Sequence, residues 1–452
     1  MATYFQDITA RFQAAPKPPT PQPSLIDFLM ATSKAIDLLE GRPVRHALKV
    51  AAIAGQLGVI LKLEKREIYS LVCAGLLHDV GLARIASHVS PLVPHGMNEK
   101  QAFYAHTLMN ARVVGVKPEN RFSDECFHML TSHPQAAGNF IDAIHLSADI
   151  KDIIASHHEL CDGSGYPFGL TRDKIPFGAR ILSFADTVEA VMAEVSGLTP
   201  RRMALESFLD IKATHKFDPD VVDAFRSLIE DEQFLRKIYS LEVEELVKDL
   251  CGRRHSPMSP KQSLDVARAM SQLPDVLMPH YTQHHSSKVA QYANQMATYL
   301  GIGEHQKGEL ILACLLHDLG KLAIPLDILA KEGPLSEEEW HQVINFPHYT
   351  EEILAGIPGF QNVAQWAGEH HERMNGRGYP ASKKGIDISI GGRMIAIANV
   401  FDALTSSRPY RKDVYDPLDA LPLIGQGRFR LFDSQLVTVF RTIVLESEVI
   451  LK

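Results

Sequence analysis

Helical spacing dominates the pattern of apolar positions along this chain. In "REIYSLVCAGLLHDVG" (66–81), Ile68, Leu71, Val72, Gly75 and Leu76 fall on one stripe at 3.6-residue spacing. In "GARILSFADTVEAVMAEV" (178–195), Ile181, Phe184, Ala185, Val188 and Val191/Met192 form another. No convincing run alternates apolar and polar residues with period two. The spacing therefore predicts an all-α chain in which each helix buries one stripe against its neighbours. Residues 14–23, "AAPKPPTPQP", hold five prolines in ten positions. That composition reads as an extended tether between a short N-terminal segment and the body.

The helical segments recur. "LLHDVGLARI" (76–85) returns as "LLHDLGKLAI" (315–324), and "HALKVAAIA" from His46 as "HSSKVAQYA" from His285, both at an offset of 239. "HHELCDGSGYP" from His157 returns as "HHERMNGRGYP" from His370 at an offset of 213. "GARILSFAD" ends at Asp186 and "GGRMIAIAN" at Asn399, again 213 apart, and "KFDPDVV" and "LFDSQLV" align Phe217 with Phe432. The chain is a duplicated domain. The falling offset gives the first copy about 26 extra residues between Asp79 and His133, at roughly 86–121, expected to form a lid or an extra helix. The expected division is a Pro-rich segment 1–24, a first domain 25–230, a helical linker 231–262 with a polar exit "GRRHSPMSP", and a second domain 263–452.

Composition narrows the partners. The 452 residues are 45% hydrophobic and 22% charged, with net charge −8 and no block of Lys or Arg. Duplex nucleic acid and a membrane surface are disfavoured. An anionic small molecule would need local positive charge from a metal or from Arg and Lys. Five cysteines (73, 126, 161, 251 and 314) show no paired spacing and read as reduced thiols. "MATYFQDITARF" has no apolar core of a signal peptide, and the run 51–61 is too short to span a bilayer. The expectation is a cytoplasmic protein without a membrane partner.

Candidate chemistry gathers in the first copy as His46, His78-Asp79, His133, His157-His158 and Asp186, in that order. A His-Asp doublet at a helix end can put imidazole and carboxylate on one metal, and two carboxylate oxygens can bridge two. Imidazole mixed with carboxylate suits Fe, Mn, Co, Ni or Zn and disfavours a pure Mg or Ca site. Seven such groups exceed one ion's needs, so two divalent transition metal ions are expected. Any one of these histidines alone would more often be a core or surface residue. The ordered set, with its doublets repeated in register, is what carries the signal.

These residues resemble the HD-GYP domains, the helical HD-superfamily phosphodiesterases of bacterial cyclic dinucleotide signalling. The resemblance covers about 40–225 and 280–450. It rests on His46, His78-Asp79, His133-Pro134, His157-His158-Glu159, Gly163-Ser164-Gly165-Tyr166-Pro167 and Asp186. It implies two tandem HD-type helical bundles joined by a helical linker. It also implies a two-metal centre, iron or manganese, hydrolysing cyclic di-GMP or cyclic GMP-AMP. Asp79 would bridge the ions. His46, His78 and Asp186 would serve one ion, and His133, His157 and His158 the other. Asp79 and His78 would be the catalytic pair, and Gly165 and Tyr166 would shape the rim of the cleft. Some members hold a third metal with a Glu four residues before the leading His. Arg42 and Tyr281 stand there, so two ions are expected.

The copies depart from the pattern differently. The second keeps His285, His317-Asp318, Gly320-Lys321, His370-His371, "GRGYP" and "RPYR" (408–411). Yet His133 falls on Phe346 and Asp186 on Asn399. His348, two residues beyond Phe346, would point about 200° around a helix, and Asp402 aligns with Glu189. The second centre should therefore close, leaving a regulatory or dimerising pseudo-domain. The first copy has Leu82 in place of the family Lys, and no "RPYR". Phosphate binding there falls to the metals, to Arg84, or to Arg201-Arg202, whose plainer reading is a solvated helix start after Pro200. The competing reading is a non-catalytic receptor for a cyclic dinucleotide or a protein, and hydrolysis of another phosphoester is a third. A homodimer or a signalling protein partner stays open.

Overall fold

The computed structural model describes residues 22–41, 45–94, 97–111, 122–211, 215–252, 256–277, 284–406, 414–425 and 431–450. Among them are helices, short 3-10 turns and three isolated bridge pairs, and no strand. Most of the Pro-rich tether, Arg42, Tyr281 and the stretch 408–411 lie outside the described residues. The chain divides into two compact units, Ser24–Pro257, and Met258–Lys452 with Met1–Pro23.

The first unit runs α1 (Leu25–Leu39), α2 (His46–Ile60), α3 (Lys65–Leu77), α4 (Leu82–Val89), α5 (Glu99–Ala111), α6 (Asp124–Leu130), α7 (His133–Ala136), α8 (Gly138–Ala143) and α9 (Ala148–Ala155). It continues with α10 (Phe177–Ala193), α11 (Leu198–Ile211), α12 (Pro219–Ile229), α13 (Glu232–Ile238) and α14 (Val243–Cys251). Ser24 and Asp27 form a reciprocal capping box that starts α1. Buried Asp37, near its end, accepts from Arg45 N (2.5 Å) and Ala47 N (3.2 Å), which sets His46 as the first residue of α2. A Cβ on Gly75 would lie 2.6 Å from Ala51 Cα, so glycine is what lets α2 and α3 touch. The chain turns at once after α3, placing His78 and Asp79 at the base of that helix pair. α10 packs on α2 and brings Asp186 to the same place. Phe184 anchors α10 in the core, 5.3 Å from both Phe217 and Phe225. Each such fully buried side chain contributes about 1.5–3 kcal/mol.

Within the excess of the first copy, the described residues form the end of α4, a 3-10 turn at Ser90–Leu92, and α5. α5 is an extra helix against α10, and Tyr104 Oη donates to Glu194 Oε1 at 2.7 Å. The segment expected as a linker divides in two. Residues 231–257 belong to the first unit, where α14 packs on α2 and α3. Its apolar stripe (Val243, Val247, Cys251) is buried there, so amphipathicity makes it core rather than connector. Lys65–Leu92 is long and apolar enough to cross a membrane by length and composition, unlike the run 51–61. However, 89% of its most apolar window is buried inside the unit.

The second unit runs α15 (Pro260–Leu277), α16 (His285–Tyr299), α17 (Glu304–Leu316), α18 (Leu326–Leu329), α19 (Glu337–Val343), α20 (Phe346–Ala355), α21 (Gln361–Gly368), α22 (Ile390–Thr405), α23 (Pro417–Gly425) and α24 (Ser434–Ile450). α16 packs on α17 and α22 as α2 does on α3 and α10. A Cβ on Gly81 would meet His133 O at 1.9 Å, and one on Gly320 would meet Phe346 O at 2.0 Å. That shared approach places His133 and Phe346 at equivalent positions.

Candidate metal centre

In the first unit the sequence-expected ligands converge. His46, His78 and Asp79 offer ligand atoms all within 4.8 Å of one another, and so do Asp79, His133, His157 and His158. Asp79 is common to both groups. Its Oδ2 lies 3.0 Å from His78 Nε2 and its Oδ1 3.1 Å from His133 Nε2 and 3.9 Å from His157 Nε2. Asp186 Oδ1 faces the first group, 3.4 Å from His46 Nε2 and 3.8 Å from His78 Nε2.

Four of the five imidazoles are oriented from behind. His78 Nδ1 donates to Gly75 O (2.8 Å), His133 Nδ1 to Leu130 O (2.7 Å) and His157 Nδ1 to Ile154 O (2.6 Å). In each case the acceptor is the carbonyl three residues earlier, where a helix or turn is ending. Holding the proton on Nδ1 points the Nε2 lone pair into the centre. His46 is held differently: its Nδ1 donates to Glu189 Oε2 at 2.6 Å, and Lys49 Nζ donates to Glu189 Oε1 at 2.8 Å. Sequence reasoning missed Glu189 as an orienting group. The available signal was its place three residues after Asp186, on the same face of α10.

The electrostatics are those of a cluster that wants cations. Burial pulls His78 down, but Asp79 and Asp186 outweigh it and push the imidazole up to about 9. Against its own burial, Asp79 is held well below the usual carboxylate range by His78 and His133. Burial, then the positive charge of His78 and His133, pulls His157 down to about 3. His157 Nε2 is buried and makes no hydrogen bond among the described residues. An orphaned imidazole nitrogen beside a shared carboxylate fits divalent metal, which would replace the protons and satisfy it.

The Gly-Ser-Gly-Tyr-Pro loop forms one rim. Buried Glu159, next after the His doublet, accepts from Phe168 N (2.6 Å) and Leu170 N (2.7 Å) and so clamps the loop. A Cβ on Gly165 would lie 2.3 Å from Leu160 N. The tightened loop sets the Tyr166 ring 4.7 Å from that of half-buried His158. The expected phosphate contacts fare unevenly. Leu82 is buried and Arg84 is exposed on α4. Arg201 stacks on Tyr239 at 3.5 Å and donates to Met192 O, and Arg202 pairs with Glu206. Both arginines are thus engaged by side chains and backbone of α11 and its neighbours.

The second unit assembles a thinner cluster. His285, His317 and Asp318 lie within 4.8 Å of one another, and Asp402 Oδ2 accepts from His285 Nδ1 at 2.6 Å, as Glu189 does for His46. Phe346 stands 5.4 Å from the rings of both His370 and His371 and packs with Ile324 and Ile328. His348 is 55% exposed, beside Glu352, and does not stand in for the missing imidazole. Lys321 Nζ, expected to meet substrate phosphate, lies 2.6 Å from Asp318 Oδ2. Burial, with His285 and Lys321 adding to it, pulls His317 down to about 4 against the pull of Asp318.

Helical units built around a His-Asp turn, each followed by a His doublet and a Gly-x-Gly-Tyr-Pro loop, define the class. The chain belongs to the HD-domain family, whose model matches residues 110–221 and 277–436, and its motifs are of the HD-GYP type. It is 28% identical over 436 residues to a 3'3'-cGAMP-specific phosphodiesterase (number 3) of Vibrio cholerae, a match covering 91% of this chain and 92% of that one. It is 38% identical over 152 residues to a cyclic di-GMP phosphodiesterase response regulator of Xanthomonas campestris pv. campestris, covering 33% of this chain and 40% of that relative. A solved V. cholerae structure titled as a cyclic GMP-AMP specific phosphodiesterase has the same fold. Its TM-score is 0.66 at 24% identity, covering 94% of this chain and 98% of that one.

Proposed function

We propose that the protein is a metal-dependent phosphodiesterase that opens a cyclic dinucleotide at the first unit's centre, the second unit being a regulatory or structural pseudo-domain. The observation that carries this reading is one buried carboxylate, Asp79, shared between two groups of imidazoles, all buried but half-buried His158. His46, His78 and Asp186 would hold one ion, and His133, His157 and His158 the other, with iron or manganese the metals that suit this donor set. Bound ions would activate water and neutralise phosphoryl charge.

The chain's own residues do the rest. The Nδ1 bonds keep four imidazoles aimed inward, and Glu159 holds the loop so that Tyr166 and Gly165 meet the substrate at the rim. Among the described residues, exposed Arg84 is a cation that could approach a phosphate near Leu82. The names of the relatives support cyclic GMP-AMP or cyclic di-GMP as substrate. Five free cysteines, four of them buried, support a reducing, cytoplasmic location.

The test is turnover of cyclic di-GMP and 3'3'-cyclic GMP-AMP by iron- and manganese-loaded protein, with metal counted on the same samples. Asp79→Asn should lower turnover by at least about 100-fold; undiminished turnover would sink the assignment. A non-catalytic receptor is the second reading, favoured by buried Leu82 and the engaged arginines 201 and 202. Binding of either nucleotide by the metal-loaded protein without any turnover of it would decide for that reading.

A further inference from the structure

The second unit carries a buried carboxylate, Asp318, where the first unit has the shared Asp79. Its side chain is 6% exposed, so its charge needs a partner at contact. The surrounding imidazoles stand off: His317 Nε2 at 3.6 Å, His285 Nε2 at 3.8 Å and His370 Nε2 at 3.9 Å. The short contact is Lys321 Nζ at 2.6 Å. The 3-10 turn Leu319–Ala323, in which Lys321 N bonds Asp318 O at 2.9 Å, brings that side chain back over the carboxylate. The same ammonium lies 5.3 Å from the centroid of Phe346, the residue in His133's place. In the first unit the corresponding side chain is Leu82, which can compete with nothing for Asp79.

We infer that the second unit's centre works without metal, and that the Lys321 ammonium replaces the ions as the counter-charge of Asp318. The contrast rests on the reading of the first unit as a two-ion site. Phe346 offers no ligand atom and sits in an apolar cluster, and Asn399 brings no charge where Asp186 does. His285, His317 and Asp318 remain close enough for one ion. Their carboxylate is already paired, and an ammonium on it repels a divalent ion strongly in a dry centre. The first unit's stability therefore depends on bound metal and the second unit's does not.

Two measurements on the intact chain test this. Manganese is counted after loading and gel filtration, in wild type and in Leu82→Lys/His133→Phe/Asp186→Asn, which installs the second unit's residues, the lysine included, in the first. Wild type should hold about two equivalents and the variant essentially none. An equivalent retained by the variant overturns the inference while leaving the function intact. A wild type without metal overturns the function and leaves the inference standing. The second measurement is thermal unfolding of Lys321→Met with and without Asp318→Asn. Lys321→Met alone should unfold about 5–10 °C lower, because it strands a buried carboxylate, and adding Asp318→Asn should restore most of the loss. A Lys321→Met chain as stable as wild type, or one that Asp318→Asn does not rescue, rules the counter-charge role out.

Discussion

Glu189→Gln is the sharpest probe of how the first centre is held. The side chain is buried, with one oxygen 2.6 Å from His46 Nδ1 and the other 2.8 Å from Lys49 Nζ. Glutamine keeps the shape and one acceptor but removes the charge. A charge-assisted hydrogen bond contributes about 1.5–3 kcal/mol and a neutral one about 0.5–1.5, so the His46 bond weakens by about 1–1.5 kcal/mol. Only that bond reaches the centre, so one ion should loosen by about 5–15-fold, near the low end of what losing such an orienting partner costs. The other ion, on His133, His157 and His158, should keep its affinity. Competition of manganese against a chromogenic chelator reads both affinities from one biphasic titration. Glu189→Asp, the residue type the second unit uses at Asp402, keeps the charge and should fall between. Unchanged affinity for both ions in Glu189→Gln would refute the orienting role. Equal loss of both would show that the variant disturbs the fold instead.

Two further outcomes follow from the same geometry. Gly81→Ala forces a Cβ to 1.9 Å from His133 O; it should cost at least about 2 kcal/mol in denaturant unfolding and weaken metal retention, because α7 must shift. In chelated protein, His78 is raised to about 9 from its ordinary value of 6.5, so its stabilisation is fully present below pH 6.5 and lost as pH rises through 9. His157 is depressed to about 3, so its contribution is present above pH 6.5 and lost as pH falls toward 3. The unfolding midpoint of the chelated protein should therefore peak near pH 6.5, and the alkaline fall should vanish once manganese occupies the His78 nitrogen. A profile flat from pH 5 to 9 without metal would contradict the charge assignments.

Much of this was legible in one dimension. Helical periodicity and the repeat at offsets 239 and 213 define an all-α duplication, and register alone sets Phe346 opposite His133 and Asn399 opposite Asp186. Those inferences survive because local spacing and chemical identity need no knowledge of packing. Other features were illegible for definite reasons. Glu189 and Asp402 are ordinary acidic residues on helix faces until α10 and α22 pack on α2 and α16 and turn them toward the leading histidines. Residues 231–257 look like a connector because an amphipathic helix does not say which core it covers. Arg201 looks like a cation awaiting phosphate until Tyr239, 38 positions away in the chain, is found beneath it.

What the sequence determined by itself was the inventory: which ligand types exist, in which copy, and which are missing. Tertiary structure decided their relations. Asp79 stands between two imidazole groups because two helix ends and a turn bring imidazoles to both of its oxygens. Lys321 became a partner of Asp318 because a 3-10 turn folds its side chain back over that carboxylate. Charge and coordination act over a few ångströms, and those distances are set by how the chain turns locally and by packing between segments that lie 32 to 143 residues apart.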